Sequence, residues 1–251
     1  MNPQQRITPA SDVVADGFVA RTFSPEDANN YFTLLLRTPR YQHFIRYYGL
    51  AYHQGAWYIT HNANLVQGTS PGIPFQTTPL LDYSSRTTHG TVVPQRRWTP
   101  TDEVDFRRQV DGATLELPIF FVNRNGGIGF RLPDILRGRD RDLHNAEKFA
   151  PLGGSATAQI RINWPGYRSW KRQINTRDET HARNPISMAR LMKAVGTSLN
   201  NFFRECMAHG YVATDPRWQI GSGRITQDHV KVIGVVHVSA GSWMPIIQLT
   251  Q

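Results

Sequence analysis

Residues 184–210 read NPISMARLMKAVGTSLNNFFRECMAHG, and the period of that segment constrains the rest of the chain. Met188, Leu191, Met192, Val195, Leu199, Phe202, Phe203 and Cys206 recur at steps of three or four, the spacing of one face of an α-helix. Lys193, Thr197, Asn200, Asn201 and Arg204 fall on the other side. Asn184 suits the cap position and Pro185 the first turn, where its missing N–H costs nothing. Gly210 suits the left-handed residue that ends a helix. The predicted helix runs over 187–209. A side so apolar must be buried, and the alternating segments on both sides of it supply the surface to bury it against.

Downstream, Val230–Val238 is apolar and mostly β-branched, Ser239–Ser242 turns the chain, and Trp243–Leu249 returns. This predicts a terminal hairpin in which Pro245 suits an edge strand. Upstream, Ala158–Trp164 alternates, with Ile160, Ile162 and Trp164 on one face and Arg161 and Asn163 on the other. Pro165-Gly166 is a turn, and Tyr167–Ile174 alternates again. Earlier still, Leu115–Val122 reads as a central strand. Asn123–Gly127 reads as a hairpin turn, Ile128–Leu132 as the return strand, and Asp134–Arg137 as a short helix opened by Pro133.

Two segments repeat a cap–Pro–x–Asp arrangement. Ser24-Pro25-Glu26-Asp27 predicts a helix burying Ala28, Tyr31, Phe32 and Leu35 and stopped by Pro39. In it the Asp27 side chain reaches back toward the cap. Thr99-Pro100-Thr101-Asp102 predicts a shorter helix with Val104, Phe106 and Val110 partly buried and Gly112 as its end. Leu50–His53 and Ala56–His61 read as a strand pair about Gly55. Residues 67–98, rich in Pro, Gly, Ser and Thr, read as a long irregular loop. Residues 1–16 read as a flexible tail. The expected fold is therefore α+β: one domain over 17–251, an antiparallel or mixed sheet, and the long helix packed on a face.

The chain has 28 Lys and Arg against 19 Asp and Glu, a formal net charge of +9 in 251 residues. Such a balance suits a polyanionic partner. Cys206 is the one cysteine, so an internal disulfide and a cysteine-built metal site are both excluded. No segment has the length and apolarity of a signal peptide or a membrane span, and the simplest expectation is an intracellular protein without membrane contact.

Between Arg161 and Arg204 stand nine cations (Arg161, Arg168, Lys171, Arg172, Arg177, Arg183, Arg190, Lys193 and Arg204) against only Asp178 and Glu179. Most of the excess charge therefore falls in less than a fifth of the chain, among aromatic residues. Arg161, Arg168, Lys171, Arg172, Arg177 and Lys193 are the candidate phosphate contacts, and Tyr167 and Trp170 the candidate base or sugar contacts. The expected function is sequence-tolerant binding of DNA or RNA, with no cofactor, no metal and no catalytic residue assigned.

A second reading is a metal-dependent hydrolase or nuclease built on Asp140, Asp142, His144 and Glu147, which fall within eight positions. Against it, the alternation of charge over 137–142 suits a solvated, self-paired loop. Gly-x-Ser-x-Gly, His-Glu-x-x-His and phosphate-binding glycine loops are absent. His43, His53 and His61 lie near one another without a metal-ligand spacing. A third reading is a self-associating structural protein, using an exposed edge at Pro245 and the aromatic block over 41–58.

Three segments together resemble a family of proteins from mushroom-forming (basidiomycete) fungi that carries no assigned activity. They are Ile160–Tyr167, the helix beginning near Ser187, and Val232–Leu249 with Ser239-Ala240-Gly241-Ser242-Trp243. The resemblance covers the C-terminal half and implies an intracellular eukaryotic protein; it assigns no residue a role.

Overall fold

The computed structural model describes residues 15–37, 50–53, 55–59 and 80–250. A seven-stranded mixed sheet divides two apolar cores. Its centre is the hairpin of β9 (Val230–Ser239) and β10 (Ser242–Leu249). Both strands are buried on both faces, which is why they read as continuous apolar runs. Val232, Val235, Trp243 and Ile247 enter one core; Ile233, Val236, Met244 and Ile246 enter the other.

On one side, β9 pairs with two short strands, β5 (Ile119–Phe120) and β6 (Phe130–Arg131). On the other, β10 pairs antiparallel with β4 (Thr91–Val92) and parallel with β7 (Thr157–Ile162). β8 (Trp170–Asn175) pairs with β7 and forms one edge of the sheet. The α+β reading with a mixed sheet holds.

The long helix, α5 (Met188–Ala208), lies over one face. Its buried positions include Leu191, Met192, Val195, Leu199, Phe202, Phe203 and Cys206, the stripe read from the period. Gly210 has φ of 60°, the left-handed end expected. The start differs: Ser187 is the cap, its Oγ accepting from Arg190 N at 3.3 Å. Asn184 is held elsewhere, its N–H donating to Asp178 Oδ1 at 3.0 Å. A short helix, α4 (Leu132–Leu136), crosses α5 at Gly196, where a Cβ would stand 2.6 Å from Ile135 Cγ2.

The opposite face is covered by α1 (Phe18–Thr22), α2 (Pro25–Arg37) and an antiparallel three-stranded sheet of β1 (Leu50–His53), β2 (Ala56–Ile59) and β3 (Leu80–Tyr83). Ser24 caps α2 as read, accepting from Asp27 N at 3.1 Å, and Ala28, Tyr31, Phe32 and Leu35 are buried. The Asp27 carboxylate serves a different segment, accepting from Arg97 N at 3.3 Å. Buried Asp82 in β3 accepts from Val19 N at 3.0 Å and Ala20 N at 3.4 Å, so a strand side chain satisfies free donors at the start of α1.

Several expectations are corrected. Leu115–Val122 is not a central strand: only Ile119 and Phe120 form a strand, outside β9, followed by the Phe121 N–H bond to Ile233 O and an isolated Val122–Ile128 bridge. Pro118 has no N–H to give a ladder, and Glu116 N donates to the His237 ring instead, at 2.9 Å. The segment 67–98 is not one irregular loop, since its described part holds β3 and β4 and the buried side chains of Gln95 and Arg97. In the helix after Asp102, α3 (Glu103–Phe106), Val104 is 74% exposed although Val110 beyond it is buried. Asp16, placed in the tail, is paired with Arg21 and Arg86.

Pro245 lies inside the sheet rather than on an exposed edge. Between β4 and β7 the sheet has a gap beside it. Buried Gln95 fills the gap, donating Nε2 to Pro245 O at 2.7 Å while its Oε1 accepts from Asn163 N at 3.1 Å. One side chain thus replaces the strand that a proline cannot pair with.

His237 is buried in β9, its ring stacked on Trp243 at 4.4 Å and 8°. Because Nδ1 accepts from Glu116 N, this geometry requires the neutral ring, and burial pulls the group down to about 4. A depressed folded value means that the unfolded chain binds the proton first. The stability carried by neutral His237 is therefore present above about pH 6.5 and is lost as the pH falls toward about 4, up to about 3 kcal/mol. Urea unfolding of His237→Gln, which keeps an acceptor and cannot titrate, should show a flatter stability profile than the parent across that window.

Candidate functional site

β8 alternates across the sheet edge. Trp170, Arg172 and Ile174 point to the α5 side, where Ile174 joins the core; Lys171 and Gln173 point to the other. Just past β8, Arg177 is held by a bridge to Pro185, with its Nη2 donating to Gly154 O at 3.1 Å. Arg190 and Lys193 stand three residues apart on the exposed side of α5. These three segments enclose a groove of about 450 Å³ lined by Arg172, Arg177, Arg190 and Lys193, with Ile174 and Ala194 below.

The electrostatics of the groove are one-sided. Elsewhere, among the described residues, some arginines stand beside carboxylates (Arg137 and Arg139 with Asp134, Arg107 with Glu103, Arg108 with Asp105, Arg217 with Asp215), while others, such as Arg124, Arg141 and Arg204, form no ion pair with a described residue. None of the four groove cations forms an ion pair with a described residue. Glu179 lines the same groove but stays outside pairing distance. The first turn of α5 holds no acidic residue, so Arg190 lies near the positive end of the helix dipole without compensation. Four cations and a helix start therefore add their fields in one concave place, an arrangement that favours an anion.

The eight residues singled out from the sequence are divided by the fold. Arg172, Arg177 and Lys193 meet in the groove, joined by Arg190. Arg161 and Lys171 are cross-strand partners on the opposite face of the sheet. Arg161 is spent there: its guanidinium lies 3.4 Å from the centre of the Trp98 ring, and Nε donates to Ser242 Oγ at 3.0 Å. Arg168 lines a second cavity of about 360 Å³ together with Tyr167 and Trp170. Both rings pack edge-on to Phe202. Tyr167 Oη accepts from Ile220 N at 2.8 Å, and Trp170 Nε1 donates to Glu205 Oε2 at 2.7 Å. Arg190 belongs with the site residues; its i,i+3 spacing to Lys193 on an exposed helix side was the available signal.

The acidic stretch does not gather into a metal-binding cluster. Among the described residues no three His, Cys, Asp or Glu side chains come together in a way that suits a metal. The stretch runs as an extension of the Asn123–Gly127 hairpin: Arg124 N donates to Asp142 O and His144 N to Val122 O, both at 2.8 Å. Burial, with Lys148 and Arg124 nearby, holds His144 below its ordinary value. The other histidine group, His43, His53 and His61, lies with its side chains outside the described residues. Cys206 is buried, and burial pushes its thiol up to about 12. Among the described residues no helix is long and apolar enough to cross a membrane.

No family model, curated protein or solved structure matches the chain.

Proposed function

We propose that the protein binds nucleic acid without regard to sequence, through the groove between β8 and α5. The observation that carries this reading is the meeting of Arg172, Arg177, Arg190 and Lys193, from three separate segments, with no carboxylate among the described residues paired to any of them. Neutralising phosphates there releases counterions, so the affinity must depend on salt. Four contacts to a single strand correspond to a slope of about −2.8 in log K against log salt, or about a fifty-fold loss between about 50 and 200 mM.

Fluorescence anisotropy with a labelled oligonucleotide tests the proposal. Arg172→Ala with Lys193→Ala should lower the slope by roughly one and a half units. Arg139→Ala, which removes a cation already paired with Asp134, should leave it unchanged. Absence of binding at about 50 mM salt, or a double variant that binds like the parent, would remove the reading.

A further inference from the structure

We infer that the second cavity holds one unstacked base of a single-stranded nucleic acid whose backbone lies in the basic groove. The inference rests on the nucleic-acid reading above and names the kind of strand. The two cavities follow one another along one seam. On β8, Trp170 lines the second cavity and Arg172 the groove, two positions apart on the same face and hence about 6.6 Å along the strand. On α5, Lys193 and Thr197 line the groove, and Phe202 and Glu205 the cavity. From Arg190 to Glu205 the seam runs about 22 Å.

The chemistry changes along that seam. The groove is cationic, whereas the cavity is walled by the Tyr167, Trp170, Phe202 and Tyr211 rings and carries one guanidinium, Arg168, against one carboxylate, Glu205. A phosphate is attracted to the first and meets no net positive charge in the second, where Arg168 and Glu205 offset each other; a base, flat and uncharged, fits between the rings of the second. Tyr211 is the accessible ring, 45% exposed and stacked on His209 at 5.3 Å and 10°. A base inside a duplex has both faces covered by its neighbours and cannot reach such a wall, so the arrangement selects an unpaired strand.

The test compares a labelled single strand with the duplex of the same length, at about 50 mM salt, for the parent and for Tyr211→Ala. The backbone carbonyl of Tyr211 accepts from Gln219 Nε2 at 3.0 Å, and this bond survives loss of the ring. The single strand should bind at least about tenfold more tightly than the duplex, and Tyr211→Ala should weaken the single strand about tenfold while leaving its salt slope and the duplex affinity unchanged. Trp170→Phe, which keeps a ring against Phe202, should act in the same direction. Equal affinity for both forms, or a single-strand affinity indifferent to both variants, overturns the base cavity and leaves the groove standing. Absence of binding to either form overturns the nucleic-acid reading, and the cavity proposal with it.

Discussion

Trp164→Ala is expected to lower the unfolding free energy by about 4 kcal/mol, close to the upper end for a single buried side chain. Trp164 follows β7 and is 1% exposed. Its ring meets Phe203 edge-on at 5.3 Å and Trp218 at 6.4 Å, and lies 6.2 Å from Phe202. Its Nε1 donates to Trp218 O at 2.8 Å. The substitution removes the apolar surface, opens a void that these rigid rings cannot collapse into, and leaves a carbonyl without its donor. Thermal unfolding should fall by roughly 10 °C for a domain of this size. Trp164→Phe, which retains a ring, should cost about half as much or less. A loss below about 1 kcal/mol for the alanine variant would mean that α5 is not anchored through this cluster. The same variant bears on function, because Phe202 also floors the second cavity.

The second large effect is expected at Gly234, in the middle of β9. A Cβ there would stand 2.2 Å from Ile119 O and 3.0 Å from Phe120 Cα, the backbone of the strand paired beside it. Backbone cannot rotate away as a side chain can, so Gly234→Ala must push β5 off the sheet or bend β9. The expected cost is about 3 kcal/mol, with β5 losing its ladder. Gly241 offers the contrast. It has φ of 70° and open space around its Cβ, so Gly241→Ala should cost only about 1 kcal/mol, from the left-handed backbone alone. Urea unfolding of the two variants side by side checks the order; a Gly241 variant less stable than the Gly234 variant would contradict the close strand approach. Hydrogen exchange at Phe121, whose N–H donates to Ile233 O at 2.8 Å, should accelerate in Gly234→Ala and not in Gly241→Ala.

Some of the fold was legible residue by residue. The stripe on α5 follows from side chains that repeat at the helical period, the start of α2 from Ser24-Pro25-Glu26-Asp27, and the β9–β10 hairpin from two continuous apolar runs about a turn. Each such signal is local, and each was strong because one or both faces of the element are fully buried. What escaped was short or was completed from a distance. β4 is two residues, too few for any period, whereas β6 falls within the expected return strand Ile128–Leu132 and only its length, two residues, differs. β5 was overread because Leu115–Val122 is apolar apart from Glu116, and only the fold shows that Glu116 N is taken by the His237 ring instead of a neighbouring strand. Pro245 was placed on an edge by a sound rule about missing donors; Gln95, 150 residues away in sequence, supplies what the rule demands.

The candidate site divides in the same way. That positive charge is concentrated between Arg161 and Arg204 is a property of the residues alone, as is the alternation that sends Arg172 and Lys171 to opposite faces. The amino-acid order by itself therefore determined the element types, their buried faces and the sign of the field, because side-chain direction repeats every two or about 3.6 residues regardless of context. Only the tertiary structure decided that Arg172, Arg177, Arg190 and Lys193 share one groove while Arg161 is spent on Trp98. The physical reason is that meeting in space depends on which strand lies beside which helix. That arrangement is settled by burying two cores at once, and no local period encodes it.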